Sequence, residues 1–487
     1  MKESALNPVR SLIGGEAVAS ARRAPVLDPH SGQPIAALNL AGAAEVQAAV
    51  AAAKNSQPAW AALPAVERGA ILHRACNLIE QRGEELSRIV AREAGKSLAQ
   101  SKGETGAAIL CGRFFAGEGQ RLFGRTMPSG AANKSAMTVR MPCGVAALIT
   151  AANTPAPNFA WKVFPALICG NGVVLKPSED TPFSADLMAR VLHEAGVPRG
   201  VLNVVQGLGA EVGPSLTGHP DVDLVSFTGS TRVGREIAER AGKSLKKVSL
   251  ELGGKNAMLV CDDADLDKAA HWACLSAFSN AGQRCAAGSR IIVVERVYEA
   301  FREKFAAKAK SLKLGVEDGC DLGPVINERQ LSNMLAAVEA AKKRGASLLA
   351  GGRRADAPEL RAGFYMTPTI VEGAGADDEI SCTELFGPIA NLYPARDFAD
   401  GLAQVGHSPY GLTAAIHTQS FDRAWTFARE ASAGVVVVNA GTFGSEPHMP
   451  FGGLRASGNG TREPGTEALD VYSELKDIYL VTEPERL

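Results

Sequence analysis

Apolar residues recur every three or four positions in three stretches of the first 120 residues: AEVQAAVAAAKNSQPAW, ERGAILHRACNLIEQRGEELSRIVAREAG, and a segment through Arg113 to Gly117. That period marks one face of an α-helix, so the spacing predicts helices packed by a single side. Ahead of them, SLIGGEAVASARRAPVLDPHSG reads as short strands joined by Gly and Pro turns. The run 131–144, AANKSAMTVRMPCG, has the pattern of a partly exposed hairpin or extended arm. From Gly144 the rhythm changes. The short runs VAALIT, VVLKP, VLNVV, DLVSFT and KVSLELGG alternate with helical patterns, which means βα units and a parallel sheet. Strands recur at NAMLV and RIIVVE, predicting a second α/β unit over about 250–436. The tail, ALDVYSELKDIYLV, is strand-like and suits the edge of another sheet or another subunit.

Composition narrows the classes. A chain of 487 residues spans two to four domains at about 100–200 residues each. With 46% hydrophobic and 21% charged residues, large cores are available. The net charge of -1, from 51 basic and 52 acidic residues, argues against nucleic acid or an anionic membrane as partner. No apolar run is long enough for a transmembrane helix or a secretory signal. Nine cysteines, an odd number without a CxxC pair, fit free thiols in a reducing, cytoplasmic compartment, and no His/Cys cluster suggests a metal.

Several motifs could carry chemistry, each with a plainer alternative. QGLGAEVG brings Gly209 and Gly213 behind a strand, one residue off the dinucleotide fingerprint, and an ordinary turn explains it equally well. Gly229 and Ser230 lie between a strand and a helix, where free N–H groups could take a phosphate or Ser230 could simply cap the helix. Lys176, Ser178 and Glu179 in KPSE could bracket a ribose or be solvated surface groups. Cys285 follows Arg284, whose charge would favour a thiolate, although single cysteines are usually inert. A thiol nucleophile with a glutamate base such as Glu251 would suit attack at a carbonyl.

Taken in order, NTPAP from Asn153, KPSE from Lys176, FTGST from Phe227, ELGGK from Glu251, GQRC ending at Cys285, ELFGP from Glu384 and PFGG from Pro450 resemble the NAD(P)-dependent aldehyde dehydrogenase superfamily over nearly the whole chain. The resemblance implies an α/β fold with a Rossmann-like cofactor domain (1–120 and 145–249), an α/β catalytic domain (250–436), an oligomerisation element (121–144 and 470–487) and a return segment (437–469). It implies that Cys285 attacks the aldehyde, that Asn153 and the Cys285 N–H stabilise the oxyanion, and that Glu251 activates water to hydrolyse the thioester. Lys176, Ser178, Glu179, Gly209, Gly213, Gly229, Ser230, Glu384 and Phe386 become cofactor contacts. Glu179 on the ribose hydroxyls favours NAD, with NADP the weaker alternative. Lys162 and Glu463 resemble a proton route. A homodimer or homotetramer is expected.

The family's bulky residues around the oxyanion asparagine are replaced here by Ala151, Ala152 and Thr154, which reshapes the mouth of the substrate tunnel. Trp161 is expected as a tunnel wall, or as ordinary helix packing. Arg284 resembles the arginine that holds the far carboxylate or phosphate of an anionic aldehyde, with a loop-supporting salt bridge as the alternative. The second arginine of such relatives falls at Ala107, while Arg113 looks structural. A neutral or aromatic aldehyde, and CoA in place of water, remain the competing readings.

Overall fold

The computed structural model describes residues 7–483, so the ends of two predicted segments, 1–6 and 484–487, lie outside the described residues. The amino-terminal periodic stretches form helices α1 (Ala43–Ala62), α2 (Ala65–Gln81), α3 (Gly83–Ala94) and α4 (Leu98–Gly117). The single long pattern from Glu67 to Gly95 is two helices. The chain leaves helical geometry at Arg82, with ψ at 16°, and Gly83 opens α3 at the break. Helix α3 stops at Gly95, which takes the left-handed conformation (φ 64°) that favours glycine at a helix end.

The βα units build a seven-stranded sheet in the order 247–251, 224–228, 145–149, 172–176, 202–204, 11–13, 16–18. The first five strands run parallel, and the amino-terminal hairpin closes one edge antiparallel. Strands Val145–Ile149 and Gly172–Lys176 are buried along their full length, as continuous apolar runs in the middle of a parallel sheet must be. One face packs against α2–α4, α5 (Pro155–Ile168) and α6 (Pro182–Glu194). The other face packs against α1, α7 (Gly209–Thr217) and α8 (Thr231–Gly242). The strand order reverses at Val145–Ile149, so the crevice at the carboxyl ends of the strands opens there.

A second seven-stranded sheet, ordered 347–350, 369–372, 389–395, 288–294, 256–260, 413–417, 435–438, is parallel except for its first strand. The two sheets are joined by the short link Leu252–Lys255, so the first sheet turns strand carboxyl ends, and the second strand amino ends, toward one region. The predicted boundary at 249/250 falls inside strand Lys247–Glu251, whose whole length pairs with Leu224–Thr228 of the first sheet. A third sheet joins Thr126–Met127, Lys134–Pro142 and Ser473–Val481. Its last strand starts at Ser473. Residues 470–472, assigned from sequence to the arm, end a short helix whose Val471 and Tyr472 are buried in the first core. Among the described residues no helix is long and apolar enough to cross a membrane.

Candidate active site

A cavity of about 740 Å³ lies between the sheets, and its wall includes Asn153, Thr154, Trp161, Arg284 and Cys285. Two segments far apart in sequence meet because the loop after strand Val145–Ile149, with the first half of α5, faces the loop before strand Gly288–Val294. The segment before Cys285 is strained. Asn280, Ala281 and Gly282 all have φ between 53° and 67°, in the left-handed region that costs a residue bearing a Cβ. Gly282 is required twice over, since a Cβ there would come 2.1 Å from the carbonyl oxygen of Gly387. The bend is held by Asn280, whose Nδ2 donates to the carbonyl of Gln283 at 3.0 Å. Asn256 Nδ2 donates to the Cys285 carbonyl at 2.7 Å and fixes the nucleophile's backbone.

The glycines of ELGG have steric reasons as well. A Cβ on Gly253 would come 2.0 Å from Glu384 Oε2, and one on Gly254 would come 2.7 Å from the Cys285 carbonyl oxygen. Gly254 N–H donates to Glu384 Oε1 at 3.1 Å, and burial pushes the Glu384 carboxyl up to about 7. Phe386 holds φ at 55° two residues on, and with Arg284 it lines a small recess beside Glu384.

Burial pushes the Cys285 thiol up to about 12, reinforced by the charges of Glu384 and Glu251. An N–H from Ala286 and the Arg284 charge pull the other way with less effect. The Arg284 charge thus favours the thiolate as expected, but burial and two carboxylates outweigh it. Arg284 stacks over Phe443, its guanidinium carbon 4.8 Å from the ring centroid. Its Nε is buried without a hydrogen-bond partner, and burial lowers its pKa. Among the described residues no carboxylate pairs with it, so the loop-supporting salt bridge is absent. Ala107 does line the cavity, and Arg113 is engaged elsewhere by Glu80 at 2.6 Å. Trp161 packs on Phe451 with ring centroids 5.6 Å apart.

Asn153 donates its amide to the Gln283 carbonyl at 3.0 Å and accepts from Asn158 Nδ2 at 3.2 Å. Asn158 also donates to Thr154 Oγ1, which sits at the start of α5. The Glu251 carboxyl is buried off the cavity wall with both oxygens unpartnered, and burial together with Glu463 raises its pKa well above normal. Two residues back along the same strand, Ser249 bonds Glu463, which also receives Ser226 and Tyr472 hydroxyls and a 2.6 Å ion pair from Lys162.

At the carboxyl ends of the first sheet, Lys176 pairs with Glu179 at 2.8 Å, and Gly209 N–H at the start of α7 donates to Glu179 Oε1. Burial pushes the Glu179 carboxyl up, but the Lys176 charge and hydrogen bond with the backbone N–H groups hold it below its usual value. A Cβ on Gly209 would sit 3.7 Å from both charged atoms, an ordinary contact. Ser178 Oγ accepts from the Asp180 N–H at 3.3 Å. Ser230 caps α8 by accepting from Val233 N–H, and Gly229 N–H bonds the Glu251 carbonyl. Gly213 lies a turn inside α7, where a Cβ would meet no atom within 4 Å.

Sequence reasoning gave no role to Asn280, the first residue of the polar stretch ending at Cys285, and passed over Asn256, Asn158 and Phe443, and Lys96 and Glu104 on the cavity wall. Asn280 and Asn256 adjoin quoted motifs and could have been suspected as backbone clamps. Lys96 in the α3–α4 link and Glu104 in α4 belong to no quoted motif and left no signal.

The chain matches the aldehyde dehydrogenase family over residues 17–478. It is 39% identical over 453 residues to the succinate-semialdehyde dehydrogenase (NADP+) GabD of Escherichia coli (strain K12), covering 93% of each chain. It is also 39% identical over 478 residues to the mitochondrial benzaldehyde dehydrogenase of Antirrhinum majus, covering 96% of this chain and 88% of that protein. The betaine aldehyde dehydrogenase of Staphylococcus aureus, crystallised with NAD+, has the same fold with a TM-score of 0.96 at 30% identity, covering 98% of this chain and 95% of that one. A match of such length, running through the motifs that hold Gly253, Gly254 and Gly282, means that the chain belongs to the aldehyde dehydrogenase family.

Proposed function

We propose that this NAD(P)-dependent aldehyde dehydrogenase oxidises an anionic aldehyde of the semialdehyde class, with NAD preferred, through a thioester on Cys285 that water hydrolyses. The observation that carries the substrate class is Arg284: a half-buried guanidinium on the cavity wall, next in sequence to the nucleophile, with no carboxylate of its own. The Glu104 charge acts on this half-buried cation without an ion pair forming, and a carboxylate on the substrate would supply a direct partner. The E. coli relative named for succinate semialdehyde agrees with this choice.

The Cys285 thiol passes its proton to water in the cavity and attacks the carbonyl carbon, and Asn153 donates its amide to the oxyanion that forms. The cofactor supplies a hydride acceptor at the nicotinamide. Glu251 then takes a proton from water attacking the thioester, and its raised pKa makes it a strong base once ionised. Lys176 and Glu179 offer a donor and an acceptor to the adenine-side ribose hydroxyls. A carboxylate at that place repels a 2′-phosphate, which favours NAD. Ser230 at the start of α8 suits the pyrophosphate, and Glu384 the nicotinamide-side ribose. Lys162 and Glu463 suit a proton path behind Glu251.

A second reading has one observation in its favour. Trp161, Phe443 and Phe451 line the same cavity, an aromatic wall suited to an aromatic aldehyde such as the plant relative's name specifies. The third sheet supports a dimer or dimer of dimers, because its edge strand exposes Leu475, Tyr479, Leu480 and Val481. Nine unpaired thiols suit a reducing cytoplasm.

The deciding experiment measures kcat/KM for semialdehydes, phosphorylated aldehydes and aromatic aldehydes, with NAD or NADP and with or without CoA. Semialdehydes with NAD and no CoA should lead. Preference for aromatic aldehydes would overturn the substrate class, preference for NADP the role of Glu179, and dependence on CoA the hydrolytic step.

A further inference from the structure

Lys96 and Glu104 belong to neither the nucleophile, the water-activating group nor the cofactor contacts, yet both are buried polar residues on the cavity wall. Lys96 follows the glycine that ends α3, and Glu104 lies in α4. They form an ion pair at 2.5 Å, each side chain 6% exposed. The pair does not close on itself. Lys96 Nζ also donates to the backbone carbonyl of Asn153, and Glu104 Oε1 accepts from Ala156 N–H at 3.3 Å, at the first turn of α5. Thus a cation from the α3–α4 link and an anion from α4 hold the chain on both sides of the Asn153–Ala156 bend.

We propose that Lys96 and Glu104 are positioning residues that fix Asn153 for oxyanion stabilisation; the inference rests on the reading of Asn153 as an oxyanion donor. The bend needs such a brace. Residues between Thr150 and Thr154 belong to no strand or helix. The Asn153 amide must also be aimed within a fraction of an ångström for its hydrogen bond to strengthen in the transition state. Asn280 Nδ2 supplies a second hydrogen bond to the same Asn153 carbonyl, at 3.2 Å, from the strained loop that carries Cys285. The Asn153 backbone is therefore gripped by the wall on one side and by the nucleophile loop on the other. Burying the ammonium and the carboxylate together lets charged groups serve as rigid struts, because neither can leave its partner without stranding a charge.

The test is a double-mutant cycle on the full-length enzyme, K96M and E104Q each alone and each combined with N153A, with kcat, KM for both substrates and NAD binding by fluorescence. Expected for K96M is a fall in kcat of about 10–100-fold with NAD affinity changed by less than about threefold, and recovery of most of the loss in K96R. In the N153A background K96M should cost less than about threefold, because the group it aims is gone. E104Q should show the same dependence on Asn153 with a smaller loss, and it carries the test if K96M does not fold. Equal losses with and without Asn153, unchanged kcat in K96M, or loss of NAD binding in proportion to kcat would each overturn the brace while leaving the oxyanion role standing. Undiminished activity of N153A would overturn the oxyanion role itself, and the brace with it.

Discussion

Two buried clusters lie behind and beside the same strand, and they treat ionisable groups in opposite ways. Behind the first sheet, Glu463 takes hydrogen bonds from Ser226, Ser249 and Tyr472 and an ion pair from Lys162, and all of these groups are sealed from solvent. Around the cavity, the Glu251 carboxyl has no partner on either oxygen, Arg284 Nε has none, and the Cys285 thiol is held neutral. A satisfied buried charge is a fixed part of the scaffold, whereas unsatisfied groups keep their hydrogen-bonding capacity for something that arrives later. Ser249 and Glu251 sit two residues apart on one strand and so point to the same face of it, which shows how short the distance between scaffold and chemistry is.

The largest effect should come from breaking the reactive side. C285A should lower steady-state NADH production by roughly 10⁴-fold or more while NAD still binds, since the nucleophile lies outside the cofactor contacts. E251Q should keep a rapid burst of NADH and lose turnover, and stopped-flow absorbance separates the two. If E251Q shows neither burst nor turnover, the carboxylate also activates the thiol, and the division between the two groups collapses.

The scaffold side should break differently. K162M strands the Glu463 carboxylate in the core and should lower the denaturation midpoint by the equivalent of about 3–5 kcal/mol. Denaturant titration beside a kcat measurement on the surviving native enzyme checks this. A stable K162M with depressed kcat would favour the proton path through Lys162 and Glu463 over a purely structural pair.

R284M sharpens the contrast at the cavity wall. The loss should fall on an acidic substrate, about 2–4 kcal/mol in kcat/KM for succinic semialdehyde, with little change for a neutral aldehyde of equal length. Equal losses on both would make Arg284 a part of the loop rather than a waiting cation.

The smallest effect concerns the thiol. With its pKa near 12, the thiolate fraction of Cys285 grows as pH rises and reaches no plateau in the ordinary range. Alkylation by iodoacetamide, corrected with C285A, should quicken about tenfold per pH unit from pH 7 to 9. A plateau below pH 8 would mean that the resting thiol is already activated.

Much of this was legible in the chain. The alternation of apolar runs and helical periods was enough for two α/β units, because a buried parallel strand and a one-sided helix leave different periods in sequence. Motif order was enough for the family, and its glycines proved legible in hindsight as steric necessities at Gly253, Gly254 and Gly282. The break at Arg82 was not, since a helix can stop without losing its apolar stripe.

What the sequence by itself determined is the class of the fold and the kinds of chemical group on hand, because both are written in local periods and in residues that must lie close along the chain. Only the tertiary structure decided the state of each group. Whether Arg284 meets a carboxylate or an aromatic face, whether Glu251 is partnered like Glu463 or left bare, and whether Lys96 can reach Asn153, 57 positions away, depend on distances across elements. Burial and charge act through space, so no spacing along the chain could have set them.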